Sequence, residues 1–192
     1  MTNRSALITI EFLDWWHAGT GRSGHGDADM IAYRDRFGCP ALPMTHVKGV
    51  LRDTAERFGL RGDDLVKLFG EANPGIEKPD VTGAGLAFTG DASLEPEERE
   101  WFKAHTTERG QLFGWLSATR IDEKTGAASA ETLRSIEVCV PLKLTKRIDW
   151  IGRGDPPANW VCDLDRVCAL TPAFGKQRND GLGRAIAQCE PL

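Results

Sequence analysis

The pattern of hydrophobic and polar positions predicts alternating strands and helices. Residues 6–12, Ala-Leu-Ile-Thr-Ile-Glu-Phe, alternate roughly with a period of two and predict the first strand. After Pro43, apolar residues at helical spacing predict a helix that Thr45 caps and Gly59 ends. These apolar residues are Val47, Val50, Leu51, Ala55 and Phe58. A shorter helix is predicted over 63–69.

The middle of the chain predicts further strands around a polar helix. Residues 84–90 and 111–119 predict strands, and residues 95–104 predict a surface helix between them. Small residues over 120–132 predict a long exposed loop. Residues 134–148 alternate again and predict either a strand or a bent pair of strands.

The last part of the chain predicts one more helix and one more strand. Asn159 can cap a helix with apolar residues at helical spacing, which Pro172 stops. A loop with Gly and Arg over 175–184 precedes a short strand over 184–189. This order of elements is that of a split βαβ unit. We therefore expect an α+β fold with a ferredoxin-like (RRM-like) βαββαβ core and a helical insertion near 60–110.

Composition limits the class of protein. The 192 residues, 41% hydrophobic and 27% charged, suit one folded domain over 1–192. No apolar run approaches the roughly 18 residues that span a bilayer, and the N-terminus shows no leader pattern. The five cysteines lack a Cys-x-x-Cys pair, which disfavours a disulfide framework or a zinc ribbon. We expect reduced thiols in a cytoplasmic protein without a membrane partner.

Charge is unevenly distributed. The net charge of −4 argues weakly against a nucleic-acid partner. Residues 91–100 hold five acids and one base, and this segment alone accounts for the whole excess. Residues 143–184 hold eight bases against five acids, so the sequence allows a basic face on a mildly acidic protein.

Four local patterns occur in the order found in one known family. They are Pro43-Met-Thr-His-Val-Lys48-Gly49-Val-Leu-Arg52; Leu68-Phe69-Gly70 with Leu86-Ala-Phe-Thr-Gly-Asp91-Ala92; Ile121-Asp122-Glu-Lys-Thr125-Gly126-Ala127 with Leu133, Glu137 and Val140-Pro141; and Arg178-Asn-Asp-Gly181-Leu-Gly183-Arg184. Each pattern is weak alone, but together they cover residues 40–190. The chain resembles the RAMP superfamily, the RNA-binding subunits of CRISPR systems. It is most similar to the repeated backbone subunit of type III effector complexes.

The resemblance implies a subunit that polymerises along a guide RNA and presents it to a complementary target RNA. Its partners would be the guide RNA, the target RNA, copies of itself in a helical filament and other effector subunits. The family also has a thumb hairpin, expected here near 118–140, which interrupts the guide–target duplex. Arg120 and Lys124 would contact phosphates in that hairpin.

Two of the family patterns suit phosphate binding. Thr45, His46 and Lys48 lie at a predicted helix N-terminus, where free N–H groups and the helix dipole favour anions, and Arg52 lies one turn on. His46 departs from the family, in which serine is usual. In the last loop, the glycines would let an RNA backbone approach and the arginines would neutralise it. These loop residues are Arg178, Gly181, Gly183 and Arg184.

The resemblance also raises the question of RNA cleavage. In family members that cut target RNA, a loop aspartate supports metal-dependent cleavage, and Asp29 falls at the matching position. Asp27 is a plausible second ligand for Mg²⁺ or another divalent cation. Some relatives only hold RNA, so a non-catalytic scaffold remains an alternative.

The sequence is also consistent with two other functions. A guide-RNA-processing endoribonuclease of the same family would use histidine for acid–base chemistry without a metal. His25 is the best candidate for that role, with His17 and His46 nearby in the sequence. A phosphate-binding module outside the family would use the loop over 181–184. The chain has no Walker-type or dinucleotide-binding glycine motif and no convincing Ser-His-Asp set to support it.

Overall fold

The structure is a computed structural model that describes residues 3–20, 30–60, 63–70, 85–118 and 134–192. Its strands are β1 (Ser5–Phe12), β2 (Ala41–Pro43), β3 (Leu86–Ala87), β4 (Asp91–Ser93), β5 (Phe113–Ala118), β6 (Arg134–Cys139), β7 (Lys143–Trp150) and β8 (Ala185–Pro191). Its α-helices are α1 (Met44–Arg57), α2 (Asp63–Phe69), α3 (Pro96–Ala104), α4 (Thr106–Gly110) and α5 (Trp160–Ala169), and a 3₁₀ turn covers Arg178–Asp180.

The main sheet has the ferredoxin-like strand order. Its strands run β2-β4-β7-β1-β8, with β3 also paired to β7, and every pairing is antiparallel. β1 is central, because β7 and β8 both pair along its length. The helices α1 and α5 follow β1 and β7 in the chain, as in a βαββαβ unit. The expected α+β, ferredoxin-like fold is therefore confirmed.

The hydrophobic core lies between one face of this sheet and the helices. Ala6, Ile8 and Ile10 of β1 are fully buried, whereas Leu7 and Thr9 alternate with them and are partly exposed on the opposite face. The apolar stripes of α1 and α5 complete the core with Met44, Val47, Leu51, Trp160, Leu164 and Cys168. The sheet therefore has one face packed by helices and a second face that is partly open.

A separate two-stranded hairpin stands beside the main sheet. Strands β5 and β6 pair from Phe113–Cys139 to Ala118–Arg134. A partly buried ion pair anchors the hairpin, because Arg34 donates to both carboxylate oxygens of Glu137 at 2.9 and 2.7 Å. Of the thumb expected near 118–140, residues 119–133 lie outside the described part of the chain. Arg120 and Lys124 lie outside the described residues.

The structure corrects several element boundaries. Pro43, not Thr45, is the N-cap of α1, and no side chain caps that helix. Within the strand expected over 84–90 only β3 forms, and Gly90, with a positive φ of 70°, separates it from β4. Residues 134–148 form two strands in different sheets. Asn159 is the N-cap of α5 but makes no side-chain cap hydrogen bond.

The five cysteines are free thiols, four buried and Cys162 exposed. Burial raises the pKa of Cys139 and of Cys189 to about 12, so both are protonated at neutral pH. Within the described ranges, the helices are all too short or too polar to cross a bilayer.

Candidate nucleic-acid interface

The first turn of α1 and the loop before β8 meet through one hydrogen bond. The backbone N–H of Gly175 donates to Nε2 of His46 at 2.9 Å, across 129 positions of sequence. The loop is held at its other end, where the N–H of Phe174 donates to the carbonyl of Gly183 at 2.9 Å. Two of the sequence patterns therefore meet at one place.

A surface groove of about 590 Å³ runs along this junction. Met30, His46, Lys176 and Arg178 line it, and a smaller groove beside it is lined by Thr45, His46 and Arg178. We call these five residues the His46 surface. Lys176 and Arg178 are exposed and bring two positive charges next to the α1 N-terminus, and Asp180 also lines the larger groove. This arrangement suits a chain of phosphates.

His46 is neutral at this junction. Burial, followed by the positive charges of Arg178 and Lys176, lowers its pKa below the ordinary value of 6.5. Because Nε2 accepts the hydrogen bond from Gly175, the proton of the neutral ring lies on Nδ1. His46 therefore holds the loop against α1 through a hydrogen bond, and the positive charge at this junction comes from Lys176 and Arg178.

Lys48 and Arg52 lie on the adjacent stripe of α1, toward α2. Arg52 donates to the carbonyl of Gly70 at 2.7 Å and pairs with Glu56 at 2.9 Å, so its side chain is only 18% exposed. Burial and the charge of Arg52 lower the pKa of Lys48. Arg52 thus joins α1 to the end of α2, and Lys48 is the freer cation of the two.

The two loop glycines have different surroundings. Both have positive φ, 88° at Gly181 and 75° at Gly183. A Cβ at Gly181 would meet nothing within 4 Å, whereas a Cβ at Gly183 would lie 2.0 Å from the Phe174 carbonyl oxygen. Gly181 is therefore open to an approaching backbone, and Gly183 is required by packing. Arg184 is 67% exposed and pairs with Asp14 at 2.9 Å.

His17 lies behind this surface and is fully buried. Its Nδ1 bonds the carbonyl of Glu137 at 2.6 Å, and Nε2 has no hydrogen-bond partner among the described residues. Burial lowers its pKa. A histidine without access to solvent is poorly placed for proton transfer to RNA, and His25 lies outside the described residues.

The described residues alone do not fit a divalent cation. They contain no group of three or more His, Cys, Asp or Glu side chains placed to hold a metal ion. Asp27 and Asp29 lie outside the described residues. Met30, the next residue after Asp29, lines the groove with His46, Lys176, Arg178 and Asp180.

Sequence reasoning missed Lys176 as a member of this surface. It lies outside the family pattern, and only the fold of the loop brings it beside His46. Trp15 lies outside this surface but contacts the loop that carries it. The residue is 41% exposed, its ring packs against Gly114, and its carbonyl accepts a hydrogen bond from Gly183 N–H at 2.8 Å.

Comparison with solved structures places this geometry in a known fold. A chain in the cryo-EM structure of the type III-B Cmr-beta bound to cognate target RNA matches with a TM-score of 0.67 and 11% identity. The match covers 96% of both chains. A chain in the apo state of type III-B Cmr-beta matches with a TM-score of 0.69, 13% identity and 97% coverage of both chains.

The protein shares the fold of these type III-B Cmr-beta chains. Each match covers nearly the whole length of both chains. No protein-family model and no curated protein matches the sequence.

Proposed function

We propose that this chain is a guide-RNA-binding backbone subunit of a type III-like CRISPR effector complex. The observation that carries the proposal is the His46–Gly175 hydrogen bond, which brings the two patterns expected to bind phosphate to one surface with Lys176 and Arg178. The fold likeness to a chain of a type III-B Cmr-beta bound to cognate target RNA supports the same role. The partners would be guide RNA, target RNA, further copies of the chain along the guide in a helical filament, and other effector subunits.

The His46 surface would hold RNA by its phosphates. The α1 N-terminus supplies a positive dipole end, Lys176 and Arg178 supply charge, and Gly181 lets the RNA backbone come close. Contacts of this kind fix the position of RNA and carry no sequence information. Base pairing between guide and target would then select the target.

Processing of guide RNA has less support. Of its three candidate histidines, His17 is buried and His46 is hydrogen-bonded to the loop. Neither presents a free imidazole to RNA among the described residues.

The first test measures binding of a labelled guide RNA to the purified chain. Lys176→Ala/Arg178→Ala should weaken binding by about tenfold or more, and the slope of log affinity against log salt should fall by roughly 2, because two phosphate contacts are lost. Arg166→Ala is the matched control. Arg166 is an exposed arginine on α5 that pairs with Asp163, so its removal should leave affinity unchanged. Equal affinity of the double variant and wild type would contradict the proposal.

We also propose that Asp29, with Asp27, supports metal-dependent cleavage of the target. A divalent cation held there would polarise the scissile phosphate. The guide-loaded assembly, given labelled complementary RNA, should produce regularly spaced cuts with Mg²⁺ and none with EDTA or with Asp29→Ala. Tight binding of target without cuts would leave the chain a scaffold and refute the cleavage role.

A further inference from the structure

A second groove lies between α3 and the main sheet. Its volume is about 630 Å³. It is lined by β4 and β7, by the start of α3, and by Leu7 and the turn at Asp35–Arg36. We call it the α3 groove. It shares no described lining residue with the His46 surface.

The floor of the α3 groove holds a buried carboxylate that is only half satisfied. Oδ1 of Asp35 accepts hydrogen bonds from the N–H groups of Phe37 at 2.8 Å and Cys39 at 3.0 Å. Its Oδ2 has no hydrogen-bond partner among the described residues, although the side chain is only 6% exposed. Buried polar atoms without a hydrogen-bond partner are energetically costly and uncommon. We therefore expect a bound molecule to donate a hydrogen bond to this oxygen.

Arg99 forms a long ion pair with this carboxylate but no hydrogen bond. The nearest nitrogen of Arg99 is 4.0 Å from Oδ2 of Asp35, beyond hydrogen-bond distance. The Nε of Arg99 is also buried and has no partner in the described part of the chain. The floor therefore offers one free acceptor and one free donor close together.

Most other charges around the α3 groove are already engaged. Asp91 accepts from the Tyr33 hydroxyl at 3.2 Å, and Arg147 pairs with Asp149 at 2.9 Å. The side chain of Glu95 accepts the hydrogen bond of the capping box of α3. Arg36 and Lys146 remain, and neither makes an ion pair within the described residues. Arg36 only stacks on Phe37, 4.7 Å from its ring centre.

These groups define the chemistry of a ligand. It must carry negative charge for Arg36 and Lys146, and it must present a hydroxyl or amine donor to Oδ2 of Asp35. The four basic side chains that line the groove, against three acidic ones, disfavour a metal cation. A single water could hydrogen-bond to Asp35 Oδ2. It would leave Arg36 and Lys146 without an anion and most of the groove volume empty.

We infer that the α3 groove is a second site for a ribonucleotide. Asp35 Oδ2 accepts a hydrogen bond from a ribose hydroxyl or base amine, and Arg36 and Lys146 bind the phosphate. The inference rests on the proposed function, because it assigns RNA or its monomer as the source of the ligand. The ribonucleotide comes either from a bound RNA strand or from a free nucleotide, and both present the same chemistry.

The test uses the purified full chain with two probes, adenosine monophosphate and a short single-stranded oligouridine, by isothermal titration calorimetry. Asp35→Asn keeps the oxygen that bonds Phe37 and Cys39 and replaces the free acceptor by a donor. It should weaken binding about tenfold, the loss expected for a hydrogen bond to a charged group. Arg36→Ala/Lys146→Ala should weaken it at least as much, more so at low salt. Arg166→Ala again serves as the control and should change nothing.

The two probes separate the sources. Binding of adenosine monophosphate that Asp35→Asn abolishes identifies a nucleotide pocket. Binding of oligouridine alone, with ultraviolet crosslinks mapping to α3 and lost in Arg36→Ala/Lys146→Ala, identifies a second contact for an RNA strand. Both results support the inference.

The remaining outcomes overturn either the inference or the proposed function. If the groove variants bind both probes like wild type while Lys176→Ala/Arg178→Ala binds oligouridine poorly, the inference fails and the proposed function stands. If adenosine monophosphate binds and responds to Asp35→Asn but no variant changes guide-RNA binding, the proposed function fails instead. Loss of self-association in the groove variants with unchanged ligand binding would make the α3 groove a protein contact.

Discussion

The His46 surface and the α3 groove both present positive charge, but they satisfy their polar groups differently. At the His46 surface, the one buried acceptor is already used, because His46 Nε2 accepts from Gly175 N–H. The cations there, Lys176 and Arg178, stand free in solvent. In the α3 groove, Oδ2 of Asp35 and Nε of Arg99 are buried and have no partner among the described residues.

This difference separates two kinds of recognition. Exposed cations around a rigid, internally bonded frame attract phosphate at many positions, with strong salt dependence and no directional preference. A site with a buried donor next to a buried acceptor binds only a ligand that hydrogen-bonds to both. Any other ligand leaves these two buried groups without partners, at a cost in free energy. The first arrangement suits a backbone-binding surface, and the second suits a selective pocket.

The largest effect is expected from a substitution that disrupts the loop of the His46 surface and does not touch the α3 groove. Gly183→Ala forces a Cβ to within 2.0 Å of the Phe174 carbonyl oxygen, at a φ of 75°. We expect it to lower the free energy of unfolding by roughly 3–5 kcal/mol. Gly181→Ala has nearly the same φ but open space around the Cβ, so it should cost only about 1–2 kcal/mol. Urea denaturation of the two variants gives the comparison, and equal losses would contradict the packing role of Gly183.

An intermediate effect tests whether the two regions act separately. Since they share no described lining residue, Arg178→Ala and Asp35→Asn should weaken oligouridine binding additively in free energy, to within about 0.5 kcal/mol. A double-mutant cycle by calorimetry measures the coupling. A coupling well above that value would mean that one contiguous surface, rather than two, contacts the RNA.

The smallest expected effect is a pH dependence at the His46 surface. The pKa of His46 is lowered in the folded state, so the unfolded chain binds the proton more tightly. His46 therefore contributes its full stability above its ordinary value of 6.5, and this contribution is lost as the pH falls below it. His17 has a lowered pKa as well and adds a loss of the same sign.

His46→Gln isolates the contribution of His46. Its side-chain oxygen can accept the Gly175 hydrogen bond but does not titrate. Urea unfolding of both proteins from neutral to mildly acidic pH should show a shallower fall for the variant. Parallel curves would mean that His46 does not titrate differently on folding.

Much of the fold was predictable from local pattern. The alternation over 6–12 and the helical spacing after Pro43 correspond to β1 and α1, and their order predicted the ferredoxin-like core. The predictions that were wrong concerned helix caps and short strands. Thr45 resembles a capping residue, but Met44 N–H bonds the Gly90 carbonyl at 2.9 Å, so the sheet supplies the partner that a cap would have provided.

The candidate site was predictable only in part. The sequence singled out His46 and Arg178, and the structure brings both to one groove. It also singled out Arg52, whose guanidinium is held by Gly70 and Glu56. A residue type and its helical position cannot distinguish these cases, since a positive charge near a helix start suits a phosphate and a neighbouring carbonyl equally well.

Hydrophobic periodicity and turn residues act over a few positions, so the sequence was enough to predict the long strand β1 and the helices α1 and α5. Which polar groups are satisfied depends on tertiary packing. Lys176 reaches the α1 N-terminus, and Asp35 faces Arg99, only because residues far apart in the chain pack together. Burial and hydrogen-bond partnership are properties of such long-range contacts, and the chemistry of both regions depends on them.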